Sequence, residues 1–224
     1  MSIHLQMEIR RLQQQLLGLS SHVEEMVFDA VRALEQKDKI LAARVIARDD
    51  QVDRAEVEIE EECLKALALY QPVATDLRFI VTVLKINNDL ERIADLAANI
   101  AERASSLADL PPPEFTFDFH GMAQKVQKML NRCLDSLVRR DAEMARLVMA
   151  ADDKVDAIHG GIYKLVVKAV AVHPDHALGY LQLLSISRNL ERIADHATNI
   201  AEDVIYMLEG EIVRHRDSQK GNPQ

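Results

Sequence analysis

Four pairs of acidic residues in the chain are spaced i, i+4, which puts both carboxylates of a pair on one face of a helix. The pairs are Asp49 and Asp53, Glu91 and Asp95, Asp152 and Asp156, and Glu191 and Asp195. Like charges at this spacing destabilise a helix by roughly 0.2–0.5 kcal/mol, and a bound cation would remove that repulsion. Carboxylate oxygens are ligands for Mg²⁺, Mn²⁺, Ca²⁺, iron and Zn²⁺. The pattern therefore predicts sites for divalent or ferric metal ions, with the identity of the metal left open.

Each of two predicted helical hairpins should bring an earlier and a later acidic pair to the same level along the hairpin axis. Chain breaks between Gln71 and Pro72 and at Pro174 separate each early pair from a later one. Counting outward from the breaks gives four level pairs, which are Asp53 with Glu91, Asp49 with Asp95, Asp156 with Glu191, and Asp152 with Asp195. Each hairpin is therefore expected to gather four carboxylates, and the molecule to carry two such clusters.

Several neighbouring residues could extend the two clusters. Candidates for further ligands, or for side chains that orient ligands, are Asn99, Glu102, Asn199 and Glu202. His159 and His196 lie close in sequence to the second cluster, and either could donate a ligand. Arg92 and Arg192 are expected to pair with Asp95 and Asp195 at i+3, although each could instead hold a carboxylate or a phosphate.

The acidic stripes have a second interpretation. Glu91 and Asp95 lie outside the apolar seam of their helix, and an acidic stripe on a helix surface is often simply solvated. The matching register in both hairpins favours metal binding. Gly160 and Gly161 follow the second cluster inside a predicted helix, where glycine is unfavourable. They predict a kink or a close-packing point that would make the second site less secure than the first.

The helices that position these residues come from one unit that occurs twice. “VIARDDQVDRAEVEIEEECLKAL” (45–67) matches “VMAADDKVDAIHGGIYKLVVKAV” (148–170), and “LERIAD” occurs at 90–95 and 190–195. Each unit is predicted to form three helices, with Asp38 and Asp141 as N-caps of the second helix. The predicted boundaries are 1–110 for the first repeat, 111–118 for a Pro-rich linker, 119–208 for the second repeat and 209–224 for a polar tail. The predicted fold is all-α, with two tandem three-helix bundles packed as an elongated six-helix bundle.

The composition agrees with a helical protein and argues against several functional classes. Of the 224 residues 48% are hydrophobic but only 4% aromatic, so we expect an aliphatic core. A net charge of −9 argues against binding to nucleic acid. The sequence has neither an apolar run of about 20 residues nor an apolar N-terminal signal core, so we expect a cytoplasmic protein without a membrane span. Cys63 and Cys133 are expected to be buried free thiols.

A candidate docking patch lies near the start of the third helix. In “DLRFIVTVLK” (76–85), Arg78 and Lys85 share one helix face, and the second repeat has Leu178 in place of Arg78. We expect this basic patch to meet a partner protein. The long exposed seams of such a bundle also predict a homodimer.

The segments “QPVATDLRFIVTVLKINNDLERIAD” (71–95) and “LERIADHATNIAE” (190–202), with the two Asp-rich segments, resemble the PhoU family of bacterial regulators of phosphate uptake. The resemblance covers nearly the full length. It implies that the four pairs meet the family's (E/D)xxxD motif, which holds multinuclear metal clusters on the surface of a six-helix, two-repeat bundle. Relatives often have Gly where this chain has Ala94 and Ala194, whose methyl groups could crowd a cluster or a partner helix.

The same resemblance implies a regulator that catalyses no reaction. It implies a cytoplasmic adaptor between the ATPase subunit of the phosphate ABC transporter and a PhoR-type sensor histidine kinase. When phosphate is plentiful, such an adaptor restrains both phosphate uptake and the phosphate-starvation response.

Two other functions compete with this prediction. A di-metal carboxylate enzyme of the ferritin-like kind needs Glu-x-x-His motifs with inward-facing ligands, and only Asp156-x-x-His159 approaches that motif. A purely structural helical bundle would carry the acidic pairs as solvated charge.

Overall fold

The protein is described by a computed structural model for residues 3–111 and 119–213. Within these residues every regular element is helical. The α-helices are α1 (Ile3–Gln36), α2 (Lys39–Tyr70), α3 (Ala74–Ala108), α4 (Phe119–Arg139), α5 (Ala142–Met149), α6 (Asp152–Val172) and α7 (Ala177–Glu209), and a 3₁₀-helix (Pro174–His176) precedes α7. The prediction of an all-α fold is confirmed.

Helices α3 and α7 form the centre of the bundle. α3 packs against α1, α2 and α7, and α7 packs against α3, α4, α5 and α6. Aliphatic side chains spaced by three and four residues are buried along both helices, as expected for an apolar face directed at a core. They are Ile86, Leu90, Ile93, Ala97 and Ile100 on α3, and Ile186, Leu190, Ile193, Ala197 and Ile200 on α7. The two repeats thus share one core across the α3–α7 pair.

The central pair is antiparallel. Successive contacts along it run from the start of α3 to its end, and they join Arg78 with Gly210, Lys85 with Asp203, Asp89 with His196, and Leu110 with Gly179. The turn between α2 and α3 therefore lies beside the end of α7. The turn between α6 and α7 lies beside the end of α3, at the opposite end of the molecule.

Both predicted N-caps are present. The Asp38 carboxylate accepts hydrogen bonds of 2.9 Å from the backbone N–H groups of Ile40 and Leu41. The Asp141 carboxylate accepts one of 3.0 Å from the N–H of Met144. Each cap satisfies donors at a helix start that have no partner inside the helix. These aspartates therefore fix where α2 and α5 begin, and the Asp38 cap also sets the register of Asp49 and Asp53 along α2.

The second helix of the second repeat is divided, which the sequence did not predict. α5 ends at Met149 and α6 begins at Asp152, so Ala150 and Ala151 interrupt the helix. Gly160 and Gly161 lie inside an uninterrupted α6, and a methyl group built on either would meet nothing within 4 Å. The expected close-packing point at these glycines is therefore wrong, and the helix is not broken there. The helix is interrupted before Asp152 and Asp156, whereas the glycines follow these two carboxylates.

Two predicted segments fall mainly outside the described residues. The Pro-rich linker was predicted at 111–118, of which only Pro111 is described, and the polar tail is described only as far as Val213. α7 ends at Glu209 and is capped by Gly210, whose φ of 75° is readily adopted by glycine and whose N–H donates to the Tyr206 carbonyl at 2.9 Å. Among the described helices, none has an apolar stretch long enough to traverse a lipid bilayer.

Candidate metal centres

The two helical hairpins gather the predicted carboxylates into two clusters. Site one is formed by Asp49 and Asp53 on α2 with Glu91 and Asp95 on α3. Site two is formed by Asp152 and Asp156 on α6 with Glu191 and Asp195 on α7. In both sites the carboxylates are close enough for a charge on one helix of the hairpin to raise the pKa of an aspartate on the other.

Site one concentrates negative charge on partly buried carboxylates. The pKa of Asp49 is raised to about 6, chiefly by burial and then by the negative charges of Asp95 and Asp53. The pKa of Glu91 is also raised, first by burial and then by Asp95, while Arg92 lowers it and Asp53 raises it. Among the neighbouring charges, that of Asp95 raises the pKa of Asp49 the most. Asp95 is also the residue that the hairpin register places level with Asp49.

Site two is the more convergent cluster. One carboxylate oxygen from each of Asp152, Asp156 and Asp195 lies within 4.8 Å of the other two. Site one has no corresponding group of three within the described ranges. Burial raises the pKa of Asp152 to about 6, followed by the charges of Asp195 and Asp156. The geometry thus favours site two, contrary to the expectation drawn from the two glycines.

The pKa of Asp195 is also raised to about 6, chiefly by burial and then by the charges of Glu191 and Asp156, whereas the charges of His196 and Arg192 oppose the shift. All four carboxylates of site two therefore influence one another across the α6–α7 hairpin. A divalent cation would offset this repulsion directly.

Two buried carboxylate oxygens in these clusters lack both a hydrogen-bond donor and an ion-pair partner. Asp49 Oδ1 in site one and Asp152 Oδ1 in site two accept no hydrogen bond from any described residue, whereas Glu91 Oε2 lies 3.3 Å from Arg92 Nε. A buried polar atom without a partner is costly, and most such atoms in native proteins are satisfied. A cation bound between the helices would satisfy them, so the donor set of both sites fits oxygen-liganded metal ions.

Arg92 lies within site one. Its Nε is 3.3 Å from Glu91 Oε2, and its Nη1 is 3.3 Å from Asp95 Oδ2. The predicted pairing with Asp95 is present, and the contact with Glu91 was not foreseen. Among the described residues, Arg192 has no carboxylate within ion-pair distance, so the expected pair with Asp195 is not formed. Site one therefore contains a guanidinium in direct contact with its carboxylates, whereas Arg192 acts on Asp195 of site two only through its charge at longer range.

A third row of residues continues each cluster, and of its members the sequence analysis had named only His159. In site one, Asn87 Nδ2 donates to the backbone carbonyl of Glu56 at 2.8 Å and to its Oε1 at 3.3 Å. In site two, His159 Nδ1 lies 2.8 Å from Ser187 Oγ. The signal was present in the spacing, because Glu56 and His159 each follow the cluster's second aspartate by three residues.

The candidate extensions Asn99 and Glu102 lie on the exposed side of α3. Asn99 Nδ2 donates to the backbone carbonyl of Asp95 at 2.8 Å, which turns its amide nitrogen back along the helix. Glu102 is close enough to site one for its charge to raise the pKa of Asp49. Of these two candidates, Glu102 is therefore the one whose charge acts on site one.

The corresponding residues of α7 are oriented differently. Asn199 Nδ2 lies 3.5 Å from Asp89 Oδ1, and His196 Nδ1 lies 2.8 Å from the same oxygen. Both side chains therefore face α3 and the contact between the repeats. Glu202 is half-buried on α7. His196 adjoins Asp195 in sequence but has its hydrogen-bond partner in the other repeat.

The two basic residues of the candidate docking patch contact α7. Lys85 Nζ lies 2.9 Å from Asp203 Oδ1 and 5.5 Å from the centre of the Tyr206 ring. The Arg78 guanidinium lies against Gly210. Both residues thus take part in the contact between the repeats, and their role in docking a partner stays a prediction.

Ala94 and Ala194 are completely buried. Each follows the cluster's glutamate by three residues but points into the aliphatic core. Their methyl groups therefore belong to the packing between helices, and the expectation that they could crowd a metal cluster is not supported.

Comparison with known proteins agrees with this architecture. The model of the PhoU domain matches residues 16–104 and 119–204. A phosphate-specific transport system accessory protein PhoU homolog from Aquifex aeolicus is 39% identical over 209 residues, which are 93% of this chain and 95% of that protein. A homolog of the same name from Pseudomonas aeruginosa is also 39% identical, over 93% of this chain and 86% of its own.

Two crystal structures share the fold. PhoU from Pseudomonas aeruginosa has a TM-score of 0.90 at 37% identity, covering 92% of this chain and 99% of that one. The phosphate transport system regulatory protein PhoU from Streptococcus pneumoniae has a TM-score of 0.83 at 30% identity, covering 93% and 99%. These names describe accessory and regulatory proteins, in agreement with the prediction that the chain is not an enzyme, and they give no support to the ferritin-like alternative.

Proposed function

The chain belongs to the PhoU family, and from that premise we propose that it is an accessory protein of a phosphate-specific transport system. In this proposal it acts in the cytoplasm as an adaptor between the ATPase subunit of the phosphate ABC transporter and a PhoR-type sensor histidine kinase. It restrains uptake and the phosphate-starvation response when phosphate is plentiful. The observation that carries the proposal is the similarity over more than nine-tenths of the chain to accessory proteins of this system.

The adaptor role is tested by deleting the gene and measuring alkaline phosphatase at high and low phosphate. We expect the enzyme to be expressed at high phosphate in the deletion strain and repressed again after complementation. Full repression in the deletion strain would contradict the proposed role. Affinity capture from a phosphate-replete lysate should recover the transporter ATPase or the kinase, identified by mass spectrometry against a bait-free control.

The second part of the proposal is that sites one and two bind metal ions. The raised pKa values of Asp49 and Asp152 and the buried oxygens without donors support it. Each site joins two neighbouring helices, α2 with α3 and α6 with α7. A bound cation would therefore cross-link the two helices of a hairpin and neutralise their mutual repulsion. The residues of the chain hold the ion, and no reaction step is assigned to it.

Metal binding is tested by elemental analysis of the purified protein and two double variants. Glu91→Ala with Asp95→Ala should lose the ions of site one, and Glu191→Ala with Asp195→Ala those of site two. The wild-type protein should bind more ions than either variant. Failure of the wild-type protein to bind any divalent or ferric ion would eliminate this part of the proposal.

The oligomeric state belongs to the proposal as well. We propose a homodimer, because several large apolar side chains on the outer faces of the helices are exposed, among them Leu69, Val73, Val172 and Leu178. Sedimentation equilibrium tests this directly. A single monomeric species at micromolar concentration would contradict it.

A further inference from the structure

We propose that an apolar surface on the α6–α7 hairpin, between site two and the connecting turn, binds an acidic amphipathic helix of a partner protein. Four side chains form this hairpin surface, which are Tyr163, Val167, Leu181 and Leu184. The inference rests on the proposed adaptor role, and it gives the chemistry of one docking surface that such a role needs. It follows from the exposure of these side chains and from the unpaired charges beside them.

The observed contact between α6 and α7 places the four side chains together. His159 Nδ1 lies 2.8 Å from Ser187 Oγ, so these two residues are level in the antiparallel hairpin. Each further turn of both helices toward the connecting turn brings another pair level. The next two pairs are Tyr163 with Leu184, and Val167 with Leu181.

The hairpin surface is apolar and uncovered. The exposed fractions are 55% for Tyr163, 51% for Val167 and 55% for Leu181. Leu184 is half-buried and packs against the core. Adjoining exposed apolar side chains mark a site for a partner. Because they continue over two successive levels, they form a strip along the hairpin, and a helix that presents apolar residues at i, i+3, i+4 and i+7 fits such a strip.

Cations border the strip on both helices. Lys164 and Lys168 lie on α6, and Arg188 lies on α7. All three are exposed, and none has a carboxylate within ion-pair distance among the residues that the structure describes. Lys164 is three residues from Val167, and Arg188 is four residues from Leu184, so these cations are direct neighbours of the strip. Unpaired cations on both sides complement a helix whose apolar face is flanked by acidic residues.

The equivalent surface of the first repeat is also apolar but has the opposite charge beside it. Its apolar side chains are Leu64, Val81 and Leu84. Glu61 stands at the position of Lys164, and Lys65 stands at the position of Lys168. Lys65 Nζ lies 3.0 Å from Glu62 Oε1 and 3.8 Å from Glu61 Oε2. The lysine of the first repeat is therefore neutralised within the chain, whereas the cations of the second repeat are available to an acidic partner.

A helix fits the hairpin surface better than an anionic membrane does. Asp156 and Asp195 converge in site two, and Asp156 precedes Tyr163 by seven residues, about two helical turns. A bilayer laid on the strip would also meet these carboxylates, which repel anionic lipids. A helix of about three turns covers the strip and ends before the cluster.

The test uses the full chain and a synthetic, fluorescein-labelled peptide of about 18 residues, which is long enough to form a helix. Leucines in this peptide follow the i, i+3, i+4, i+7 pattern, and glutamates flank them on both sides. A control peptide has lysine in place of every glutamate. Fluorescence anisotropy should give a Kd in the micromolar range for the acidic peptide and at least about 10-fold weaker binding for the basic peptide.

Variants of the chain then locate the binding. Val167→Ser with Leu181→Ser removes apolar contacts, and it should weaken binding of the acidic peptide by at least about 10-fold. Lys164→Glu with Lys168→Glu should weaken it by a similar factor and strengthen binding of the basic peptide. The matched control is Leu64→Ser, which removes the equivalent exposed side chain of the first repeat and should leave the Kd unchanged. Circular dichroism verifies that each variant keeps its helices.

Photo-crosslinking identifies the natural occupant. A benzophenone amino acid placed at Val167 in phosphate-replete cells should crosslink to an acidic amphipathic segment of another protein, sequenced by mass spectrometry. The Lys164→Glu, Lys168→Glu change should abolish that crosslink. Crosslinks only to lipid, or only to a second copy of this chain, would overturn the inference. Equal affinities for the two peptides, or an unchanged Kd in both double variants, would do the same.

The outcomes separate this inference from the adaptor role beneath it. If the peptide and crosslinking results are as expected but the deletion strain keeps alkaline phosphatase repressed, the docking surface stands and the proposed regulatory role fails. If the deletion strain expresses the phosphatase at high phosphate but the acidic peptide does not bind, the adaptor role stands and this inference is wrong.

Discussion

Lys85 Nζ lies 2.9 Å from Oδ1 of Asp203, and this ion pair joins the first repeat to the second across the α3–α7 contact. The Asp203 side chain is only 1% exposed, whereas that of Lys85 is 40% exposed. A nearly buried carboxylate needs a compensating charge, because removal of its partner leaves it poorly solvated. Lys85 therefore stabilises the association of the repeats as well as belonging to the predicted docking patch.

Replacing Lys85 should destabilise the whole bundle. We expect Lys85→Ala to lower the free energy of unfolding by about 1–3 kcal/mol, less than for a fully buried pair because the ammonium group is partly solvated. Urea denaturation measures the change. Lys168→Ala, which removes an exposed lysine of α6, serves as the control and should cost less than about 0.5 kcal/mol. Equal effects of the two substitutions would contradict the structural role of Lys85.

Arg92 should weaken metal binding at site one. Its guanidinium contacts Glu91 and Asp95, so an incoming cation must displace it or share those oxygens. We expect Arg92→Ala to raise the Mg²⁺ or Mn²⁺ affinity of site one by roughly 5–10-fold, since a unit charge at about 4 Å contributes about 1 kcal/mol or more near water.

The equivalent substitution in the other repeat provides the comparison. Arg192 forms no ion pair among the described residues, so Arg192→Ala should change the affinity of site two by less than about 3-fold. Calorimetric titration of both variants gives the two numbers. An unchanged affinity of site one after Arg92→Ala would show that the guanidinium does not compete with metal.

The metal-free protein should lose stability as the pH rises through the clusters' pKa values. Asp49, Asp152 and Asp195 have pKa values of about 6 in the folded chain, against a usual value of 3.8. Between about pH 4 and pH 6 the folded state therefore binds more protons than the unfolded state, which makes stability fall with rising pH. The contribution is fully favourable below about pH 4 and is lost above about pH 6.

Replacing the cluster aspartates with asparagine separates their contribution to stability from that of other titrating groups. Asp49→Asn with Asp152→Asn should be more stable than the chelator-treated wild-type protein above pH 6, and the difference should shrink toward pH 4. Melting temperatures across this range measure it. Metal binding should weaken below about pH 6, because protons compete for the same oxygens. A stability difference independent of pH would contradict the assigned pKa values.

The two thiols should be inert in the native protein. Burial raises the pKa of Cys63 to about 12, and it also raises the pKa of the completely buried Cys133. Only the thiolate reacts readily with disulfide reagents. We expect Ellman's reagent to detect no thiol in the folded protein and two after unfolding in guanidinium chloride. Rapid reaction of either cysteine in the native protein would contradict the burial.

The parts of the site that could be predicted are those governed by helical period and hairpin register. The breaks near Pro72 and Pro174 and the i, i+4 spacing were sufficient to place Asp49 level with Asp95 and Asp152 level with Asp195. Their mutual effects on pKa agree with this register. The all-α fold followed from the same periodicity, because the apolar seams of α3 and α7 are long and regular.

The parts that could not be predicted depend on contacts between elements. The alanines at the division between α5 and α6 are good helix formers, so the local sequence carries no sign of a break. Arg92 has two acidic neighbours within one turn, and spacing alone does not show that it contacts both. The partners of Lys85 and His159 lie in other helices, beyond the reach of local pattern. For Lys85 and His159 the partner residue is distant in sequence.

Because α3 and α7 are antiparallel, the α2–α3 and α6–α7 turns lie at opposite ends of the molecule. The α2–α3 turn lies at the end where Arg78 meets Gly210, and the α6–α7 turn lies at the end where Gly179 meets Leu110. α3 has 35 residues, which at 1.5 Å each separates the turns by about 50 Å. Two proteins docked on the two turns would not obstruct each other. In the proposed adaptor role, this separation would let the transporter ATPase and the kinase bind simultaneously at opposite ends of one molecule.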